Sequence, residues 1–277
     1  MMPMFLASVY LLADPAAYAK PKLLVEAAAL AMPGEVAKYR VLDVRGVETY
    51  GAGHVAGAVR APVAAWSKAF VADKADAAFW KRELAAVGVS PTVPVLVYGD
   101  IDLRETCRAW WLLQRAGVAD VRVLNGGYPD YASAKGATET APTLATAEAH
   151  DWKLLPEQHA TKADVLGMLK EKKVIILDGR SPEEYESGHI PGAVPLEWVD
   201  FLAEGNLRFK PPAELAKLLA AKNVRPTDPT CSYCQSGGRA SVVAFGLELM
   251  GGTHGKNYYR SWAEWNKDAN TPKERKK

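Results

Sequence analysis

Val41-Leu42-Asp43-Val44-Arg45 and Ile176-Leu177-Asp178-Gly179-Arg180 are the same apolar run closed by Asp-x-Arg, 135 positions apart. The offset holds on both sides of that run. Gly53-His54-Val55-Ala56-Gly57-Ala58-Val59 matches Gly188-His189-Ile190-Pro191-Gly192-Ala193-Val194, and Val95-Leu96-Val97-Tyr98 falls opposite Thr230-Cys231-Ser232-Tyr233. Farther on, Asn125-Gly126-Gly127-Tyr128-Pro129-Asp130-Tyr131 resembles Tyr259-Arg260-Ser261-Trp262-Ala263-Glu264-Trp265 at an offset of 134. Solenoid units are far shorter, roughly 20–50 residues. A period this long therefore means two copies of a whole domain, and 277 residues are enough for both.

Within each copy, helical and strand patterns alternate. Helices are expected over 22–31, 79–87 and 105–115 in the first copy, and over 162–170, 213–221 and 240–250 in the second. Short apolar strands are expected over 41–44 and 93–98, and again over 174–177 and 229–233. Strands rich in Val, Ile and Leu, alternating with helices, predict an α/β fold: two tandem domains, each a parallel sheet covered by helices on both faces. The expected boundaries are 1–20 for an N-terminal extension, 21–136 for the first domain, 137–157 for a linker and 158–277 for the second domain. The linker segment is rich in Ala, Thr and Glu and carries Pro142 and Pro156.

Composition narrows the function classes. The chain is 49% hydrophobic and 24% charged, enough apolar material for two cores, and its formal net charge of +2 gives no general pull toward nucleic acid or membrane. The basic end Lys273-Glu274-Arg275-Lys276-Lys277 reads as a solvated tail. Three cysteines, Cys107, Cys231 and Cys234, are too few and too odd in number for a disulfide framework, and they lack the His partners of a zinc site. At the N-terminus, Met4 to Leu12 is a short apolar run and Ala17-Tyr18-Ala19 has the small-x-small form of a cleavage site. A signal peptide over 1–19 would make the protein periplasmic or exported. Against it, no Lys or Arg precedes the run and Asp14-Pro15 interrupts its end. A plain N-terminal extension would leave the protein cytoplasmic. No other stretch is long and apolar enough to span a bilayer.

In α/β domains chemistry sits in the loops beyond the strand C-termini. In the second copy that loop reads Cys234-Gln235-Ser236-Gly237-Gly238-Arg239 and runs straight into a helix. The cysteine ends a buried strand. The two glycines let the backbone bend with its amides turned inward. The helix N-terminus and Arg239 favour an anion. Inward amides form an anion nest, which favours the thiolate, the nucleophilic form of cysteine. The same amides suit a persulfide, whose outer sulfur is also anionic. The competing reading of Cys234 as a buried structural thiol fits poorly with a polar, Gly-rich loop.

These residues resemble a known family. Strand–Cys-x-x-Gly-x-Arg–helix, with Asp-x-Arg and Gly-His-Ile-Pro-Gly-Ala upstream, resembles the rhodanese superfamily. Two copies with the cysteine in the second resemble the tandem thiosulfate and 3-mercaptopyruvate sulfurtransferases, over about residues 21–270. The resemblance implies a ping-pong reaction. Cys234 attacks the outer sulfur of a donor such as thiosulfate, sulfite leaves, and the persulfide passes its sulfur to cyanide or a thiol. It implies no metal and no organic cofactor, and a small-molecule donor and acceptor as partners; the chain is expected to be a monomer without stable membrane association. Gln235, Ser236, Gly237, Gly238 and Arg239 are the expected persulfide loop, with Arg180 as a further substrate contact. In mercaptopyruvate sulfurtransferases a Ser at the position of Ser236 is thought to assist proton transfer, whereas thiosulfate-preferring tandem enzymes tend to carry a Lys there. Arg239 offers a full charge for a dianion and tilts the expectation toward thiosulfate.

The first copy lacks the nucleophile. Gly99 falls opposite Cys234 and Arg104 opposite Arg239, while Cys107 lies inside the following helix and reads as packing. Asp178 and Arg180 recur as Asp43 and Arg45 in the copy without the cysteine, so an ion-pair brace competes with the substrate role. His54 and His189 follow a Gly in the same turn and read as structural hydrogen bonders. Cys231-x-x-Cys234 admits a redox pair, although Cys231 stands at the core position of Leu96. Trp262 and Trp265 read as packing. Two other functions remain in view. A phosphatase or arsenate reductase also uses a Cys–Arg anion loop, but one residue longer than the four between Cys234 and Arg239. A non-catalytic binding module would suit Gly99 but not Cys234.

Overall fold

The computed structural model describes residues 16–145, 148–253 and 255–275; the apolar N-terminal run lies outside them, as does most of the segment read as a signal peptide or extension. The first copy contains strands β1 (Leu24–Glu26), β2 (Arg40–Asp43), β3 (His54–Val55), β4 (Val59–Arg60), β5 (Val95–Tyr98), β6 (Val121–Asn125) and β7 (Thr138–Glu139). Its helices are α1 (Ala27–Leu30), α2 (Val47–Ala52), α3 (Val63–Val71), α4 (Ala77–Ala86), α5 (Leu103–Arg115) and α6 (Gly127–Ser133). The second copy contains strands β8 (Ile175–Asp178), β9 (Val194–Pro195), β10 (Thr230–Tyr233) and β11 (Gly255–Asn257), with helices α7 (Lys162–Glu171), α8 (Pro182–Ser187), α9 (Pro212–Ala221), α10 (Gly238–Leu249) and α11 (Ser261–Trp265).

Both main sheets are parallel, in the orders β1-β6-β5-β2-β4 and β11-β10-β8-β9. Their central strands are buried on both faces; β5 is accordingly an unbroken apolar run, while β10 is equally buried although it carries Thr230 and Ser232. The repeat extends to single residue pairs. His54 pairs antiparallel with Glu139 in the first copy, and His189 with Glu274 in the second. Leu24 pairs with Val123, and His159 with Asn257.

One expected element is overturned. The helix over 22–31 is instead a 3₁₀ turn (Pro21–Leu23), the strand β1 and a single helical turn, α1. Leu24 to Glu26 pair with the edge of β6, and this tertiary pairing overrides the helix preference of an Ala- and Leu-rich stretch. Within the expected linker, β7 pairs back onto β3 and Leu155 N–H donates to the Arg115 carbonyl, so much of that segment lies along the first copy.

The two copies meet through repeat-equivalent helices. Trp110 on α5 and Phe245 on α10 stand 135 positions apart, and their rings meet edge-on at 4.9 Å. A residue can touch its own repeat partner only on a local two-fold axis. Helix α10 lies between its own sheet and α5, which explains why nearly all its sides are buried. The resulting apolar core is continuous from Leu42 through Trp110 to Val242, whereas the outer face of each sheet has its own separate core.

A second contact ties the copies together. The turn between Leu202 and Phe209, closed by an isolated bridge, reaches over to the first copy. Its Asn206 and Leu207 carbonyls accept from the N–H groups of Leu103 and Gly126, and Arg208 pairs with Glu26 and Asp130. This turn covers the loop that begins at Gly99.

Candidate active site

β10 delivers Cys234 to the junction of strand and helix, where it is 1% exposed. The loop that follows is held from one side by α11. Cys234 N–H donates to Ser261 Oγ at 3.1 Å, and the carbonyls of Cys234 and Gln235 accept from the N–H groups of Trp262 and Ala263. Gly237 then turns the chain with φ 89° and ψ −28°, a left-handed conformation that glycine adopts without steric cost. A side chain there would also stand 2.6 Å from Tyr259 Cδ2. The turn aims Gly237 N–H at Cys234 Sγ, 3.1 Å away, and α10 starts at the next residue. The sulfur thus lies at the positive end of a 12-residue helix, with one amide donated directly to it.

Arg239 is a fixed charge beside the sulfur. Its guanidinium binds the Glu184 carboxylate at 2.5 and 2.8 Å. That hydrogen-bonded pair holds Arg239 above its ordinary value against partial burial, helped by the Cys234 sulfur beside it. Glu184 in turn is held below the usual carboxylate range, first by Arg239 and also by the Ser181 N–H of the capping box that starts α8. The repeat partner Arg104 behaves differently. It folds back on Asp102, at 2.9 and 2.7 Å, with its guanidinium 5.2 Å from the Trp198 ring centroid. Arg104 is near enough to Arg239 for the two charges to repel. Gln235 and Ser236 form the exposed rim.

Arg180 sits in a different setting from the loop. Its side chain is 1% exposed, doubly bonded to Asp178, and donates to the Gly188 carbonyl at 2.7 Å, with Trp262 stacked 4.6 Å away. The Tyr233 hydroxyl completes the brace by donating to Asp178 at 2.5 Å and accepting from Ile190 N–H. Arg45, Asp43, Gly53, Tyr98 and Val55 repeat every bond of it in the copy without a loop cysteine. The pair therefore closes the strand end and the following turn, and it leaves no exposed donor for a solute.

The other singled-out residues are structural in their contacts. His54 and His189 stack on Tyr50 and Tyr185 at 3.7 Å, each with Nδ1 on the same tyrosine's carbonyl. Cys107 and Cys231 are free thiols with no exposure, and burial pushes Cys231 up to about 12 and Cys107 well above its ordinary value. Cys231 belongs to the core of Ile176 and Trp265, on the far side of its sheet from the helix α10. Trp265 is buried in that same core. Among the described residues no group of three or more His, Cys, Asp or Glu side chains is placed to hold a metal ion, and no helix is long and apolar enough to cross a membrane.

Sequence reasoning missed Ser261, Glu184 and Arg108. Ser261 carries a signal in the repeat, because it replaces Gly127 as Cys234 replaces Gly99. The two departures from the repeat meet in space. Glu184 replaces Thr49 in the same way. Arg108 reaches the loop from the other copy, a placement no local pattern encodes.

A parallel α/β fold with a cysteine at the strand–helix junction, its sulfur facing a backbone amide and an arginine, defines the class to which the protein belongs. The family model of the rhodanese-like domain matches residues 26–134 and again 161–268. Thiosulfate sulfurtransferase of Corynebacterium glutamicum is 34% identical over 241 residues, 78% of this chain and 78% of that protein. The 3-mercaptopyruvate sulfurtransferase of Escherichia coli is 30% identical over 209 residues, 70% and 71% of the two chains. Among solved structures, the anaerobic ergothioneine biosynthesis enzyme of Chlorobium limicola superposes with a TM-score of 0.84 over 93% of this chain and 71% of that one; at 22% identity the likeness is one of fold. The chain belongs to the rhodanese family, with two domains in tandem, and it is a sulfurtransferase.

Proposed function

We propose that the protein moves sulfane sulfur from thiosulfate to a thiophilic acceptor, cyanide or a thiol, through a persulfide on Cys234. The Cys234 thiolate attacks the outer sulfur of thiosulfate. The sulfur–sulfur bond of the donor breaks, sulfite leaves with the electron pair, and the enzyme holds Cys–S–S⁻. The acceptor then attacks the outer sulfur, the new bond forms as the persulfide bond breaks, and the thiolate returns. The observation that carries this reading is the Gly237 N–H at 3.1 Å from Cys234 Sγ, at the N-terminus of α10 and beside Arg239. A fixed amide and a helix end stabilise negative charge on sulfur without rearranging during the reaction. The cysteine's 1% exposure suits a small donor.

A second donor, 3-mercaptopyruvate, is favoured by one contact. Glu184 neutralises much of the Arg239 charge, which lessens the preference for a dianion over a monoanion. Intact mass after incubation with each donor separates the two. A gain of about 32 Da, lost on adding cyanide and absent from Cys234→Ser, is the expected result, and the faster-loading donor is the preferred one. If neither donor loads the wild-type protein, this reading is wrong.

A further inference from the structure

We propose that Arg108, contributed by the first domain, positions the catalytic loop of the second by holding the Ser236–Gly237 peptide in the orientation that presents its N–H to Cys234. The proposal rests on the reading of Cys234 as the nucleophile. Arg108 lies on α5, and its side chain is 13% exposed. The two hydrogens of Nη1 are shared among the Ser236 carbonyl at 3.1 Å, the Tyr259 hydroxyl at 2.9 Å and Ser67 Oγ at 3.2 Å, while Nε donates to Glu105 at 2.9 Å. The Tyr259 hydroxyl donates to Ser67 at 2.7 Å, so the acceptors are themselves tied down.

The Ser236 carbonyl and the Gly237 N–H are two ends of one planar peptide, pointing in opposite directions. The arginine grips one end and the sulfur accepts from the other, at 3.1 Å on each side. This has two consequences. A glycine at 237 leaves that peptide free to rotate, and the grip on its carbonyl removes the freedom. A cation on the carbonyl also polarises the amide, and hydrogen bonds in such a chain strengthen one another. Both favour the anionic sulfur.

Gly238 supplies an independent observation. A Cβ at Gly238 would overlap Arg108 Nη2, so a side chain at that position would push the end of the guanidinium aside. Gly238 is not in a left-handed conformation, and alanine is the better residue in a helix. The backbone therefore does not require a glycine, and the missing side chain leaves room for the arginine. Each arginine near the loop has a carboxylate partner of its own, Arg239 with Glu184, Arg104 with Asp102, Arg180 with Asp178 and Arg108 with Glu105, while Glu197 also feels the Arg239 charge without forming an ion pair among the described residues.

The test is the rate of iodoacetamide alkylation at Cys234 against pH, read site by site by peptide mass spectrometry, in wild type, Arg108→Met, Arg108→Lys and Gly238→Ala. Arg108→Met and Gly238→Ala are each expected to slow alkylation at neutral pH about tenfold and to move its rise to higher pH, the size of effect that loss of one hydrogen bond to a charged group gives. Combining them should add little, since both break one contact, and Arg108→Lys should restore part of the loss. A folded Arg108→Met protein with the wild-type pH profile overturns the proposal even if turnover falls, because a purely structural arginine at the interface would give that result. Should Arg108→Met not fold, wild-type profiles in both Gly238→Ala and Arg108→Lys overturn it equally. Alkylation needs no sulfur donor, so failure of wild-type protein to load sulfur would defeat the proposed function while leaving this measurement readable.

Discussion

Ser261 shows how one residue carries both packing and chemistry. Its φ of 55° is left-handed, matching the 58° of its repeat partner Gly127, so the second copy accepts backbone strain to place a hydroxyl there. That hydroxyl donates to the Tyr258 carbonyl at 2.8 Å and accepts from Cys234 N–H at 3.1 Å, while the sulfur lies 4.0 Å away. The strong bonds are the two backbone ones, and the first role of Ser261 is to fix the cysteine. Ser261→Ala leaves a buried N–H without an acceptor and is expected to cost about 1–3 kcal/mol in urea denaturation. Ser261→Gly loses the same hydroxyl but relieves the backbone, and should be the more stable of the two by about 1 kcal/mol. Equal stabilities would show that the left-handed turn stores no strain.

Helix α8 is short, six residues, but its first turn reaches the loop that follows Cys234. Ser181 and Glu184 form a capping box, and Glu184 also grips Arg239 on α10. The folded carboxylate is held below its ordinary range, chiefly by Arg239. The unfolded chain therefore takes up the proton first as pH falls. The stabilisation is full at neutral pH and is lost as pH drops through the lowered folded value. Relative to Glu184→Gln, the wild-type advantage in denaturation midpoint should be constant from about pH 8 to 6 and shrink below about pH 4, under the ordinary glutamate value near 4.3. An advantage that already fades at pH 6 would mean that Glu184 is not the titrating partner.

For the whole molecule, the local two-fold raises the question of why only one site exists. The missing sulfur at Gly99 is part of the answer. Asp102 stands where the second copy has Gly237, and its extended backbone (φ −160°) and side chain cap α5 through Arg104 N–H. The Leu103 N–H is already taken by the Asn206 carbonyl, and Leu207 stands 3.2 Å from where a Cβ on Gly127 would be. Restoring the cysteine alone therefore does not restore the site. A Gly99→Cys, Cys234→Ser protein is expected to gain no cyanide-labile sulfur mass from either donor. Loading at position 99 would show that the covering turn opens and that the cysteine suffices. The first domain's contribution is instead the shared core around Trp110 and Phe245, and Arg108 at the loop.

The sequence by itself determined the duplication, the parallel α/β character and the place of Cys234 at a strand–helix junction. These depend on features local in the chain: a period in the residues, apolar runs of strand length, and a cysteine between a strand and a Gly-rich helix start. It could not separate Arg180 from Arg239, because both recur in the copy without a cysteine; the structure separates them by their partners, Asp178 in a closed brace and Glu184 beside the sulfur. The edge strand β1 was hidden for a related reason, since its pairing with β6 lies about 100 residues away and local preference pointed to helix. Only the tertiary structure placed Ser261 against Cys234, Leu207 over the Gly99 loop and Arg108 on the Ser236 carbonyl. Those contacts join residues 27 to 128 positions apart, and such distances are set by how two sheets and two helices pack, not by any pattern along the chain.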